Sequence, residues 1–435
     1  MALKIPVLPE ASPASSSGTS PARRGALLLL EAVLERHRGL EEALGDLPAG
    51  LEPRDRAAAH RIAAMVLRRA GTLDAVLEPW LRKAPPEIVR HALRIGAAEL
   101  LFLGTAPHAA VGSAVGLVPK PFAGLVNAVL RRVAEAGVAA LAGLDAERLD
   151  TPPWLWSAWH EAYGVAVRGI AAAHRAEAPL DLTLAPGATA PPGGEALGDA
   201  GPAGGTWRYP PGTRVADLPG FAEGGFWVQD AAAALPVRLL RVRPGERVAD
   251  LCAAPGGKTM QLAAAGAQVV AVDRDARRLP RLRENLARVG LTAAVVEADA
   301  TAWDGGGAAF DAVLVDAPCT ATGTIRRHPD VLHLKRPRDV AAAVVLQGAL
   351  LAAAARLVRP GGRVVFASCS LQPEEGEGHL AAAAALGLVP EGIFSGEVPG
   401  LGEAVGAQGM LRTRPDLWGE WGGMDGFFVG RWRKG

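Results

Sequence analysis

The 435-residue chain reads as an α/β protein in three parts: an all-helical domain at 22–150, a small α+β linker domain at 151–235, and a doubly wound, mostly parallel sheet at 236–435. Three observations predict this. Apolar residues recur at helical spacing, with no strand pattern, from about residue 22 to 150. From Ala185 to Gly225 the chain is dense in Gly and Pro and its apolar pieces are short. From about 236 strand-like and helix-like runs alternate, the rhythm of βαβ units. Length agrees, since one core rarely organises so many residues.

The first stretch, "MALKIPVLPEASPASSSGTSPARR", has no continuous apolar segment, so it does not read as a secretory signal; residues 1–21 read as a disordered tail. "RRGALLLLEAVLERHRGLEEAL" opens the helical domain. "PRDRAAAHRIAAMVLRRAGTLDAVLEPWL" and "PPEIVRHALRIGAAELLFL" each begin with Pro, which suits a first helical turn. "APHAAVGSAVGLVPK" and "FAGLVNAVLRRVAEAG" complete six or seven helices. Arg131 and Arg132 fall at a helix end, as a phosphate contact or a solvated terminus. "TPPWLWSAWHEAYG" predicts a short Trp-rich helix that packs domains together. Five strands then follow, in "ERVADLC", "AQVVAVDRD", "TAAVVEADA", "FDAVLVDAPC" and "GGRVVFASCS".

Composition bounds the function. Hydrophobic content of 49% with 21% charged residues suits a soluble globular chain. Its apolar runs are broken by Arg, Gly or Pro, short of the roughly 18 residues of a membrane span, so no membrane partner is expected. Three cysteines cannot all pair, which together with the lack of an export signal places the chain in a reducing cytoplasm. A net charge of +1 excludes a globally basic nucleic-acid binder; such binding would need local patches. No metal is expected, and a monomer is. Of the 46 Lys and Arg residues only six are Lys, so Lys258, inside a Gly-rich loop, marks a place where Arg does not fit.

That loop, "VADLCAAPGGKT", runs from strand through turn to helix. Gly256 and Gly257 let the backbone approach a ligand and leave helix N–H groups free for an anion. Its spacing is neither G-x-G-x-x-G nor that of a Walker loop. Asp273, 23 residues after Asp250, ends the second strand, where a carboxylate can hold a ribose diol. Asp299 and Asp316 end the third and fourth. Four carboxylates are thus expected at one sheet edge, although helix capping explains one or two of them equally well. A ligand with ribose hydroxyls, an adenine and an amino-acid part suits them, which points to S-adenosylmethionine over a dinucleotide.

Cys319 follows the fourth strand and Cys369 the fifth. In the common doubly wound order these strands are neighbours, so both thiols would face the crevice. Either alone reads as a small buried residue; together they fit methylation of a pyrimidine at C5. There a thiolate adds to C6, Asp316 meets N3, the activated C5 takes a methyl group, and the thiolate leaves. The base must be out of its stack. A cationic cofactor and Lys258 are expected to favour the thiolate.

"DLCAAPGGKT", "DAPCTATGTIRRHPD", "SCSLQPEE" and "MDGFFVGRWRK" resemble the RNA cytosine-5 methyltransferases. "GFWVQD", "HAAVGSAV" and "GLVNAVLRR" resemble in particular the bacterial Fmu/Sun-type 16S ribosomal RNA enzymes, whose N-terminal domain is NusB-like. The resemblance runs from about residue 22 onward and is weakest at 165–222. It implies a Rossmann-like S-adenosylmethionine-dependent methyltransferase domain acting on RNA, with 16S ribosomal RNA the expected partner. It implies that Cys369 is the nucleophile, that Cys319 helps release product, and that Cys252, Ala253, Ala254, Pro255, Gly256, Gly257 and Lys258 bind the cofactor. Asp273 would hold the ribose, Asp299 the adenine end, and Asp316 the space between cofactor and base. The chain departs from the family at Gly376, where Pro-Glu-Glu is usually followed by Asn. Beside Cys319, Arg326, Arg327, His328, Lys335, Arg336 and Arg338 form a basic run expected to position phosphates. A DNA cytosine-5 methyltransferase using Cys319 as nucleophile, and an inactive NusB-like RNA-binding factor, are the alternatives.

Overall fold

The computed structural model describes residues 20–197, 205–307 and 309–435. It divides into two compact units, one of residues up to Val66 with Thr72–Leu144, the other of Leu67–Gly71 with Asp145–Gly435. All but residues 20 and 21 of the expected tail lie outside the described residues.

The helical region contains α1 Pro21–Leu34, α2 Leu40–Leu44, α3 Pro53–Arg68, α4 Ala70–Leu77, α5 Glu87–Leu101, α6 Pro107–Val115 and α7 Lys120–Ala136. Proline stands in the first turn of α1, α6 and α7, where its missing N–H costs nothing. α1 and α7 bury an apolar stripe, with Leu29, Leu30 and Val33 on α1 and Val126 and Leu130 on α7, whereas α5 is buried on all sides from His91 to Glu99.

The second unit begins with α8 Ala146–Asp150, α9 Pro153–Tyr163 and α10 Val167–His174. Four short antiparallel strands follow, β1 Leu180–Leu184, β2 Glu195–Leu197, β3 Thr206–Tyr209 and β4 Phe226–Val228, in the order β2-β3-β1-β4. Then come α11 Ala231–Leu240, β5 Arg247–Leu251, α12 Gly257–Ala264, β6 Gln268–Asp273, α13 Leu279–Arg288, β7 Ala294–Glu297, β8 Phe310–Asp316, α14 Val331–Leu334, α15 Pro337–Leu357 and β9 Val358–Ser368. The chain closes with α16 Leu380–Ala385, β10 Leu388–Pro390, β11 Leu411–Arg412 and β12 Phe428–Lys434. The large sheet runs β10-β12-β9-β8-β5-β6-β7, with β11 on β12. Its five expected strands are parallel, and β8 and β9 are neighbours as anticipated. From β5 the chain steps outward through β6 and β7 and then crosses to β8 on the other side. The switch point between β5 and β8 is where such sheets open a ligand crevice.

Two features depart from expectation. β12 pairs antiparallel with β9, so "FVGRWRK" is an interior strand. Its Arg431 is fully buried, donating to the carbonyls of Leu239 (3.0 Å) and Gly392 (2.6 Å) and pairing with Glu397 at 2.8 Å. Second, α15 is 21 residues long with a window of mean hydropathy 1.9, long and apolar enough to cross a membrane. It packs on the sheet instead: Leu350, Leu351 and Ala354 share a core with Val313, Val364 and Phe366.

Candidate active site

The cofactor loop leaves β5 through Cys252, which adopts the left-handed conformation at φ 63°, and enters α12 through Gly256 at φ 104°. Gly256 also lies so close to α13 that a Cβ would stand 3.2 Å from Leu282 Cγ. Both constraints explain the glycine. Ala253 N donates to Val272 O at 3.0 Å and Ala254 N to Asp273 Oδ2 at 3.0 Å, so the loop is laced to the end of β6. Asp275 N holds the other oxygen of Asp273 at 2.9 Å. Asp273 and Asp299 line one cleft with Cys252, Pro318, Leu346 and Leu350. The Thr301 hydroxyl (2.7 Å) and N–H (2.9 Å) hold the Asp299 carboxyl below its ordinary range. Carboxyl groups beside apolar walls suit a nucleoside.

Asp250 is not presented to this cleft. It is fully buried behind the loop, accepts the Thr259 hydroxyl at 2.6 Å through Oδ2, and leaves Oδ1 without a partner. Burial pushes its carboxyl up to about 7. Of the four expected edge carboxylates, then, three remain. The third, Asp316, pairs with Lys258 Nζ at 2.7 Å. Lys258 is nearly buried and lies 5.3 Å from the centre of the Phe427 ring. A compact ammonium fits this corner, whereas a guanidinium fork is wider and rigid.

β8 and β9 bring the cysteines together. Asp316 is in register with Ala367, Ala317 N donates to Ala367 O at 2.9 Å, and Gly323 N donates to Cys369 O at 2.9 Å. The two sulfurs stand 3.0 Å apart, and all three cysteines are free. The Cys319 hydrogen bond, then burial, push the Cys369 thiol well above its ordinary value, while Lys258 pulls it down. The expected thiolate is thus not favoured by the protein alone, because the Cys319 hydrogen bond and burial outweigh the pull of Lys258. Burial and the surrounding Asp316, Asp273 and Asp250 push Cys252 up to about 12, so it stays a thiol.

The basic run divides. Arg326 is buried, bonded to Asp230 (2.5 Å), Asp425 (2.7 Å) and Gly422 O (2.9 Å). Arg327 bonds the same two carboxyl groups and lies 4.0 Å from Asp181, which Arg208 grips with both nitrogens at 2.7 Å. Three guanidinium groups against three carboxyl groups tie β1, β3, the start of α11 and the Cys319 loop into one network. Arg326 and Arg327 are therefore corrected from phosphate contacts to internal ion pairs. His328, Arg336 and Arg338 are exposed, and Lys335 is half-buried. Arg131 and Arg132 are exposed on α7, with Arg132 5.9 Å from the Trp80 ring.

The sequence does not reveal what braces the cysteine loops. Trp159 on α9 donates to Gln372 Oε1 at 3.1 Å and the Tyr163 hydroxyl to Leu371 O at 2.5 Å. Trp159 shares a core with Ile325 beyond Cys319 and Leu371 beyond Cys369. Gly376 has a local cause: a side chain there would stand 2.7 Å from Phe428 Cγ and collide with Arg412.

Residues 237–433 match the family model described as 16S rRNA methyltransferase RsmB/F, and residues 20–135 match the NusB family. The ribosomal RNA small subunit methyltransferase B of Pseudomonas syringae is 39% identical, over 81% of this chain and 84% of that protein. That of Vibrio cholerae is 36% identical, over 81% and 86%. Among solved structures, a methyltransferase homolog protein from Pyrococcus horikoshii is 26% identical with a TM-score of 0.55, covering 66% of this chain and 96% of that one. NSun6 from the same organism, solved with SFG, shares the fold at a TM-score of 0.56 and 20% identity, over 65% and 98%. The chain therefore belongs to the RsmB/F family, with a NusB-family domain ahead of its catalytic fold, and is an S-adenosylmethionine-dependent RNA methyltransferase.

Proposed function

We propose that the chain methylates C5 of a cytosine in 16S ribosomal RNA through a covalent Cys369–C6 adduct, and that Cys319 ends the reaction. The observation that carries this is the pair of free thiols 3.0 Å apart, beside the Lys258–Asp316 pair. The Gly256–Gly257 turn, Asp273 and Asp299 would hold S-adenosylmethionine, with the ribose on Asp273 and the adenine against the apolar wall near Asp299. When bound, that cofactor supplies an electrophilic methyl group on a positive sulfonium.

Cys369 passes its proton to the Asp316 carboxylate as its sulfur bonds C6. The π pair of the C5–C6 double bond moves into the ring, and Lys258 and the now protonated Asp316 donate hydrogen bonds to O2 and N3 as negative charge gathers there. C5 then forms its new carbon–carbon bond. Cys319, its own proton passed to water, takes the C5 proton, the C5–C6 double bond re-forms, and Cys369 leaves with its electron pair and recovers its proton from Asp316. The loops that hold both thiols are braced by α9, so little reorganisation is needed. The NusB-family domain, with Arg131 and Arg132, would bind RNA together with His328 and Arg336, which are exposed, and half-buried Lys335. Three free cysteines support a reducing cytoplasm as the site of action.

The test is transfer of a tritiated methyl group to 16S RNA from a strain lacking the gene, followed by nucleoside analysis. Label in 5-methylcytosine is expected. Label in another nucleoside, or none in 16S RNA, would overturn the assignment.

A further inference from the structure

We propose that Glu375 is a positioning residue that fixes the spacing of the two cysteines; its consequence for turnover rests on the roles given to Cys369 and Cys319 above. Glu375 lies six residues after Cys369, in the loop beyond β9, and is fully buried. A carboxylate only accepts hydrogen bonds, and four donors converge on this one. Oε2 takes Thr320 N at 2.9 Å and Gln347 Nε2 at 3.0 Å. Oε1 takes the Ser370 hydroxyl at 2.6 Å and the Thr320 hydroxyl. Thr320 adjoins Cys319, and Ser370 adjoins Cys369. One side chain therefore grips the immediate neighbour of each thiol.

The surrounding bonds close the frame. Ser368, on the other flank of Cys369, donates its hydroxyl to Glu375 O at 2.7 Å. Gln347 on α15 also donates to Pro318 O at 2.9 Å, the residue before Cys319, and is itself held by His379 at 2.9 Å. The half-buried Arg412 guanidinium, paired with Glu377 and donating to Ser370 O, adds an attraction to the Glu375 charge. Two neutral loops could pack here without the cost of burying a charge. What the carboxylate adds is geometry: a fully satisfied buried network holds its members in one arrangement. Glu375 makes no hydrogen bond to either sulfur, so it acts through the loops.

The test reads the thiol spacing directly. Diamide takes two electrons and two protons from a thiol pair, leaving a disulfide and the corresponding hydrazine. Its rate of forming the Cys319–Cys369 disulfide, mapped by mass spectrometry, reports how often the sulfurs meet. Glu375→Gln puts an N–H against a donor. It is expected to slow this oxidation and to lower kcat by about 10- to 100-fold, with S-adenosylmethionine affinity within about twofold, the scale of a small misplacement of reacting groups. Oxidation and kcat both within about twofold of wild type would overturn the inference. Should Glu375→Gln not fold, Thr320→Val and Ser370→Ala each remove a single hydroxyl; wild-type oxidation rates in both would overturn it equally. Slowed oxidation in a protein whose wild type leaves cytosine unmethylated would uphold the positioning role and sink the assigned reaction instead.

Discussion

The sulfur of Cys319 lies 3.0 Å from the sulfur of Cys369, a hydrogen bond in which either thiol can donate. Adjacent parallel strands enforce this, since β8 and β9 end together and the loops beyond them are hydrogen-bonded. The same closeness, with burial, raises the Cys369 thiol well above its ordinary value. Distinct outcomes follow for the two cysteines. Cys369→Ala should bind RNA and transfer no methyl group. Cys319→Ala should add and methylate but not release, leaving a denaturant-resistant protein–RNA adduct. Denaturing gels of each variant with RNA and cofactor check this. An adduct from Cys369→Ala alone would assign attack to Cys319, as in a DNA cytosine-5 enzyme. A structural role would show only a loss of about 1 kcal/mol in stability.

Asp273 joins the cofactor loop to β6 and also faces the cleft. Asp273→Ala should weaken S-adenosylmethionine binding by about 1.5–3 kcal/mol, the scale of a lost charge-assisted hydrogen bond. Calorimetry on the RNA-free protein measures it. Unchanged affinity would remove Asp273 from the ribose site.

Arg326 carries structure, not RNA. Arg326→Ala leaves Asp230 and Asp425 short of a partner in a buried network, which should cost about 3–5 kcal/mol. Urea denaturation reads this loss. A variant of wild-type stability with a flatter salt dependence of RNA binding would restore Arg326 as a phosphate contact.

Arg326 and Arg336 stand in one basic run and look alike in it. Only folding brings Asp230 and Asp425 onto Arg326 and leaves Arg336 in water. Glu375 has the same character: "QPEEG" reads as an acidic loop until Thr320 and Gln347 arrive from distant segments. β12 escapes notice because its charge is buried in Arg431. By contrast the β5–β9 alternation, the carboxyl groups of Asp273, Asp299 and Asp316, and the pairing of the cysteine loops were legible. Each depends on local pattern plus one topological rule, that strand C-terminal ends share an edge.

Arg336 and Arg338, exposed at the start of α15, are the better candidates for phosphate contact. Replacing both with Ala should lower the log–log salt slope of RNA binding by about one unit per lost contact. Cofactor affinity should not change. A filter-binding titration with an unaltered slope would show that they only face solvent.

Asp250 predicts a pH dependence. Its folded carboxyl is raised by burial to about 7 from an ordinary 3.8, although the Thr259 hydroxyl pulls the other way. The fold thus favours the protonated form. The stability it contributes is fully present below the unfolded value and is lost as pH rises through the folded one, across roughly pH 4 to 7. A tenfold change in a group's acidity between the folded and unfolded chain is worth about 1.4 kcal/mol, so the gap at Asp250 amounts to a few kcal/mol. Asp250→Asn keeps the shape, carries no charge at any pH, and can still accept the Thr259 hydroxyl. Urea titrations of both proteins at about pH 5 and about pH 8 isolate the effect, because all other groups are shared. Wild type should lose stability relative to the Asn variant between these values, by about 2–4 kcal/mol. Parallel behaviour of the two proteins would mean that Asp250 ionises freely, with water or a bound group reaching the unpartnered Oδ1.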